Sequence, residues 1–114
     1  MLNTKIAVLV SGGGTNLQAL IDAQEKGSLK SGEIALVVSS NETAYALERA
    51  KKHGIPSVAI SKKACVSQGE FESQIQKVLT ENGIQLVVLA GFLSILSADF
   101  VSKWQKRIIN VHPS

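Results

Sequence analysis

With 114 residues, 45% of them hydrophobic, the chain can bury one core of ordinary size and has no disordered composition. Lys and Arg outnumber Asp and Glu by 12 to 9, a formal charge of +3. The basic residues are scattered from Lys5 to Arg107 instead of forming an aromatic-interleaved stripe, which argues against a nucleic-acid surface and leaves a mild preference for small anions.

The first apolar run, Ile6-Ala7-Val8-Leu9-Val10, is the pattern of a strand buried on both faces. A helix follows with Leu17, Leu20 and Ile21 on one face and Gly27 at its end. A second strand over residues 34–38 leads to a helix with Ala44, Leu47 and Ala50 inward, closed by Gly54 with Pro56 beyond. The third strand, residues 58–60, is short and is assigned by its place in the alternation. The helix after it puts Phe71, Ile75, Val78 and Leu79 on one face and ends at Asn82-Gly83. Leu86–Ala90 is a fourth strand; Ser97 caps a short helix that carries Phe100 and Trp104 inward; Ile108–Val111 is a fifth strand. No repeat, linker or low-complexity segment interrupts the series.

Strict alternation of strand and helix implies right-handed crossovers and a doubly wound α/β domain with a parallel sheet. Ligands of such sheets bind beyond the carboxyl ends of the strands, where strand order reverses. The segments to inspect are therefore residues 11–16, 39–41, 90–96 and 110–114. Cys65, the only cysteine, excludes an intrachain disulfide. Residues 1–5 lack a signal-peptide pattern, and no apolar run approaches the roughly 20 residues that span a bilayer. A soluble, cytoplasmic protein is expected, with no membrane or nucleic-acid partner.

Ser11-Gly12-Gly13-Gly14-Thr15-Asn16 joins the first strand to the first helix. Three glycines let backbone N–H groups come close to a ligand, and the helix start adds a partial positive charge, so an anion is favoured over a plain capped turn. No lysine follows, so this is not a triphosphate loop, and Leu17 stands where a dinucleotide loop has its third glycine. The second strand ends in Val38-Ser39-Ser40-Asn41, without an acidic residue to hold a ribose. A terminal phosphate monoester fits best, in the loop that holds Gly13, Gly14, Thr15 and Asn16.

At the end of the last strand, Asn110 and His112 are two residues apart and so face the same side. An amide N–H beside an imidazole suits a reaction that builds negative charge on oxygen: the amide donates to the oxyanion and the imidazole moves a proton. Either residue alone would be read as a satisfied polar group at a strand end. Together, on the edge that bears the glycine loop, they are candidate catalytic residues. Two histidines and one cysteine without a CxxC partner imply no metal site, and His53 fits a favourable dipole contact at a helix end.

The segments Ser11-Gly12-Gly13-Gly14-Thr15-Asn16-Leu17-Gln18-Ala19, Leu86-Val87-Val88-Leu89-Ala90-Gly91-Phe92-Leu93-Ser94-Ile95-Leu96 and Asn110-Val111-His112-Pro113-Ser114 resemble the phosphoribosylglycinamide formyltransferase family. Asn-x-His-Pro-Ser by itself is shared with methionyl-tRNA formyltransferase and formyltetrahydrofolate hydrolase; the glycine loop with Thr15-Asn16 points to the glycinamide enzyme. The resemblance implies a Rossmann-like formyltransferase fold. It also implies transfer of a formyl group from 10-formyltetrahydrofolate, as co-substrate, to the amine of glycinamide ribonucleotide in purine synthesis.

Carried over by position, the resemblance gives Gly14, Thr15 and Asn16 the substrate phosphate, Asn110 the formyl oxygen and His112 the proton movements. Leu89, Phe92, Leu93, Ile95 and Leu96 would line the folate pocket. Family members often have Met-Arg where this chain has Leu93-Ser94, so no folate contact is carried over for Ser94. The family's catalytic aspartate lies downstream of these motifs, and Asp22 and Asp99 fall in helical segments where they cannot replace it. The 114 residues are therefore expected to form one α/β domain, the amino-terminal phosphate-binding portion of a formyltransferase, truncated after the fifth strand and inactive in isolation. Water or a charged tRNA as acceptor, or a non-catalytic phosphate-binding module, are the alternatives. An unpaired edge at the fifth strand, with Ile108 and Ile109 partly exposed, predicts self-association.

Overall fold

A computed structural model describes residues 4–27, 32–92 and 96–111. Within them, strands β1 (Thr4–Val10), β2 (Gly32–Ser39), β3 (Ser57–Ala59), β4 (Leu86–Ala90) and β5 (Ile108–Val111) alternate with helices α1 (Thr15–Glu25), α2 (Tyr45–Lys52), α3 (Gln68–Glu81) and α4 (Ala98–Lys103). The strands form one sheet in the order β3-β2-β1-β4-β5, every neighbouring pair parallel. Strand order thus reverses beside β1: the chain runs outward through β2 and β3, returns to the far side of β1 as β4, and continues to β5.

The central strand explains the layering. Ile6, Val8 and Val10 pack with Leu17, Ile21, Ala46 and Ala50 of α1 and α2. Ala7 and Leu9, pointing the other way, pack with Phe71, Ile75 and Leu79 of α3 and with Phe100 and Trp104 at α4. Burying one such side chain is worth roughly 1.5–3 kcal/mol, so a run of five apolar residues secures both layers at once.

In β2 the register against β1 slips by one residue, Ile6 facing Ile34 and Ala7 facing Leu36. The bulge lets both Ala35 and Leu36 serve the α3 layer, while Ile34 and Val37 serve the other. Plain alternation along residues 34–38 does not anticipate it.

Two helix starts follow from their caps. Ser67 accepts a hydrogen bond from the Glu70 N–H at α3, and Ser97 accepts one from Phe100 at α4, at 3.1 and 3.2 Å. Phe100 and Trp104 are buried, as the spacing predicts. The Trp104 indole N–H donates to Gln76 on α3 at 2.8 Å.

In α2 the prediction needs correcting. Ala44 is buried, as expected, but it is extended (φ −64°, ψ 131°) and serves as the cap instead of lying in the helix; within α2 the buried residues are Ala46 and Ala50, with Leu47 only half-buried. β3 is likewise one residue earlier than expected, ending at Ala59, with Ile60 buried just beyond it. On β5, Ile108 packs against the α3 layer whereas Ile109 is 51% exposed.

Candidate functional site

The glycine loop leaves β1 at the reversal of strand order. Gly12, Gly13, Gly14, Thr15 and Asn16 line one side of a depression of about 180 Å³, and Ala90 and Gly91 at the end of β4 line the other. This is where an open parallel sheet places its ligands. The four residues predicted to cradle a phosphate, Gly13, Gly14, Thr15 and Asn16, are brought together here.

Helix α1 does not begin on a polar cap. Its cap is Gly14, in the left-handed region at φ 81°, ψ 31°, with no side chain bonded to the first turn. The first helical hydrogen bond runs from the Gln18 N–H to the Gly14 carbonyl at 2.8 Å. The N–H groups of the preceding residues have no carbonyl one turn earlier to bond, and this end carries the positive pole of the helix dipole. An anion in the depression would meet those donors.

Gly14 is required twice over. Its φ is one that side chains with a Cβ rarely adopt, and a Cβ there would lie 2.8 Å from the Ala46 Cβ and 3.0 Å from the Ala46 Cα. Helix α2 is pressed against the loop at this point, through the small residue that the helical pattern had not singled out. Gly12 and Gly13 have open space where a Cβ would go.

Arg49, one turn after Ala46, was not singled out in the sequence at all. Its Nε donates to the Gly13 carbonyl at 2.7 Å and its NH1 to the Gln18 side chain at 3.1 Å. The guanidinium lies over the Tyr45 ring, 4.9 Å from its centre. The available signal was the pairing of a small residue with a long cation three positions later, on one helix face.

The neighbouring turn after β2 is closed on itself. The buried Ser39 hydroxyl donates to the Asn41 carbonyl at 2.7 Å and accepts from the Asn41 N–H at 3.0 Å, and the Ser40 and Ser11 hydroxyls lie 2.7 Å apart. That contact ties this turn to the base of the glycine loop.

Asn110 is exposed on β5, in register with Leu89 of β4. Its strand position puts it on the face of Ile108, towards the α3 layer. Leu89, Phe92 and Leu96 pack against the same layer, and the Phe92 and Phe71 rings stack with centres 6.5 Å apart. Asn110 therefore shares a face with three of the five predicted folate-pocket residues, and it does not line the glycine-loop depression. Leu93, Ile95 and His112, with Ser94, Pro113 and Ser114, lie outside the described residues.

His53 caps the end of α2, and its Nδ1 lies 2.7 Å from a carboxylate oxygen of Glu25, the last residue of α1. Its Nε2 lies 3.4 Å from the Gln18 side-chain nitrogen, so His53 bridges the end of α2 to two positions along α1. Among the described residues no group of three or more His, Cys, Asp or Glu side chains is placed to hold a metal ion, and no helix is long and apolar enough to cross a membrane.

The formyl transferase family model matches residues 4–114. The chain is 46% identical over 110 residues to the trifunctional purine biosynthetic protein adenosine-3 of Gallus gallus, covering 96% of this chain and 11% of that protein. It is 41% identical over 110 residues to phosphoribosylglycinamide formyltransferase of Haemophilus influenzae, covering 96% of this chain and 51% of the relative. Among solved structures, phosphoribosylglycinamide formyltransferase from Coxiella burnetii superposes with a TM-score of 0.92 at 44% identity, over 98% of this chain and 52% of the other. The chain thus spans about half the length of these single-function relatives.

Proposed function

The chain belongs to the formyl transferase family, and from that premise we propose that the whole protein transfers the formyl group of 10-formyltetrahydrofolate to the amine of glycinamide ribonucleotide. The observation that carries the proposal is the glycine-loop depression at the reversal of strand order, a cradle for the phosphate of the acceptor. A phosphate held there by Gly13, Gly14, Thr15 and Asn16 would fix one end of the ribonucleotide. Its amine would then reach along the carboxyl edge towards β5.

In the reaction the amine attacks the formyl carbon and the carbonyl oxygen gathers negative charge. The Asn110 amide donates to that oxygen, and His112 carries protons between the amine and the departing folate nitrogen. The face that Asn110 shares with Leu89, Phe92 and Leu96 supports a folate ring on that side of the site, and the family resemblance adds Leu93 and Ile95 to the residues that would contact it. The residue that orients His112, an aspartate in the family resemblance, would come from the rest of the protein. A small-molecule acceptor in the cytoplasm belongs to the same proposal. A water acceptor would have no use for a phosphate cradle, which disfavours the hydrolase alternative.

The test is turnover by the complete protein with glycinamide ribonucleotide, water and charged tRNA supplied as competing acceptors. Formylation of the ribonucleotide is expected, with His112→Ala and Asn110→Ala each lowering kcat by about 10²–10³-fold, the scale of losing a proton carrier or an oxyanion donor. Preference for another acceptor, or near-normal turnover by both variants, would reject the assignment. Phosphate binding without turnover in the complete protein would favour the non-catalytic alternative.

A further inference from the structure

We infer that Arg49 is a positioning residue for the glycine loop, turning its carbonyls towards α2 so that its N–H groups face the anion site. This rests on the phosphate cradle proposed above and deepens it. Two successive carbonyls of the loop are engaged by α2: the Gly12 carbonyl accepts from the Ala46 N–H at 3.3 Å and the Gly13 carbonyl accepts from Arg49 Nε at 2.7 Å. Across a trans peptide, C=O and N–H point in opposite directions, and the described residues contain no cis bond. Holding the Gly12 and Gly13 carbonyls on α2 therefore aims the Gly13 and Gly14 N–H groups the other way.

The topology says what lies there. Helix α2 follows β2, on one flank of β1, whereas Ala90 and Gly91, the opposite wall of the depression, come from β4 on the other flank. The N–H groups of Gly13 and Gly14 donate to no group among the described residues. Without the clamp, a loop whose Gly12 and Gly13 are sterically open could rotate either peptide and present a carbonyl to the phosphate, which would repel it.

Arg49 is itself fixed at three points. One nitrogen bonds the loop, another bonds Gln18 in the first turns of α1, and the guanidinium plane lies over Tyr45. A lysine offers a single ammonium and cannot span the Gly13 carbonyl and the Gln18 side chain with the same planar fork. The clamp is therefore specific to arginine.

The experiment is a titration of the protein and of Arg49→Met and Arg49→Lys with inorganic phosphate, followed through the backbone amide NMR signals of residues 12–16. Methionine keeps the aliphatic stem beside Gly14, and a thermal melt of each variant reports its fold. In the native protein, phosphate is expected to shift the Gly13 and Gly14 amides. In Arg49→Met its affinity should fall about tenfold, the scale of one charge-assisted hydrogen bond, with the ligand-free Gly14 amide already displaced. Arg49→Lys should recover only part of the affinity.

Phosphate affinity within twofold of native in Arg49→Met, with the loop amides unmoved, would overturn the role of Arg49 and leave the cradle standing. Absence of any phosphate response in the native loop would overturn both. If Arg49→Met does not fold, Arg49→Lys decides by the same readout: native affinity and an unmoved Gly14 amide would refute the clamp.

Discussion

Substituting Gly14 by alanine tests how closely the loop and α2 are fitted. Two costs can be worked from the geometry. An L-residue in the left-handed region loses about 1–2 kcal/mol, and φ at Gly14 is 81°. The new Cβ would also stand 2.8 Å from the Ala46 Cβ and 3.0 Å from its Cα, and overpacking of this kind costs about 1–3 kcal/mol. The unfolded chain loses some freedom when glycine becomes alanine, which returns about 0.4–1 kcal/mol. The net expectation is a loss of about 1–5 kcal/mol, a large share of the 5–15 kcal/mol typical of a domain.

Urea unfolding and thermal melting of Gly14→Ala and Gly13→Ala measure this directly. At about 4 °C per kcal/mol for a chain of this size, Gly14→Ala should melt about 4–18 °C below the native protein. Gly13→Ala meets nothing within 4 Å and should stay within about 1 kcal/mol. Adding Ala46→Gly removes one of the two clashing atoms but not the φ strain, so the Gly14→Ala penalty should shrink by about 1 kcal/mol in that background. A Gly14→Ala protein within 0.5 kcal/mol of native, or Gly13→Ala equally damaged, would refute the close approach.

The acid limb of the stability curve should depend on Glu72. Burial works to raise its pKa, but hydrogen bonds from the Ser97 hydroxyl, Gln68 and the Ser97 N–H, with Lys103 nearby, outweigh it and hold the carboxyl below its ordinary value. A depressed folded pKa stabilises above the unfolded value of about 4.3 and is lost as pH falls through the folded one. Melting of the native protein should therefore drop as pH falls below about 5, while Glu72→Gln starts lower at pH 7 and shows a shallower drop; parallel curves would reject the contribution. The outer edge of β5, with Ile109 half exposed, should drive self-association of the 114-residue polypeptide. Sedimentation should show oligomers that Ile109→Lys reduces, and a monomeric native sample would count against it.

What the sequence disclosed about this fold is mostly what burial alone dictates. A residue at a β1 position must be apolar whichever way it points, so the run at 6–10 is visible without knowing what covers it. The serine caps at Ser67 and Ser97 are similarly local: each needs only its own backbone three residues on. The glycine loop belongs to the same class, because its unusual backbone is written into its composition.

What stayed hidden depends on distances between elements. The bulge in β2 brings both Ala35 and Leu36 to the α3 layer, and residues 34–38 read alike with it or without it. Ala44 is buried but extended, so it caps α2 instead of lying in it, and the helix buries Ala46 more fully than Leu47. An alanine at 46 is unremarkable as composition; it becomes informative once it is known that Gly14 lies against it. Arg49 follows from the same contact, since a helix held that close leaves its next outward side chain within reach of the loop carbonyl. The apolar pattern locates the carboxyl edge where chemistry is expected, but the orientation of the peptide groups along that edge is decided by a helix some thirty residues later in the chain. On the proposed reading, the loop motif alone outlines an anion site, and Gly13 and Gly14 become its directed donors through α2.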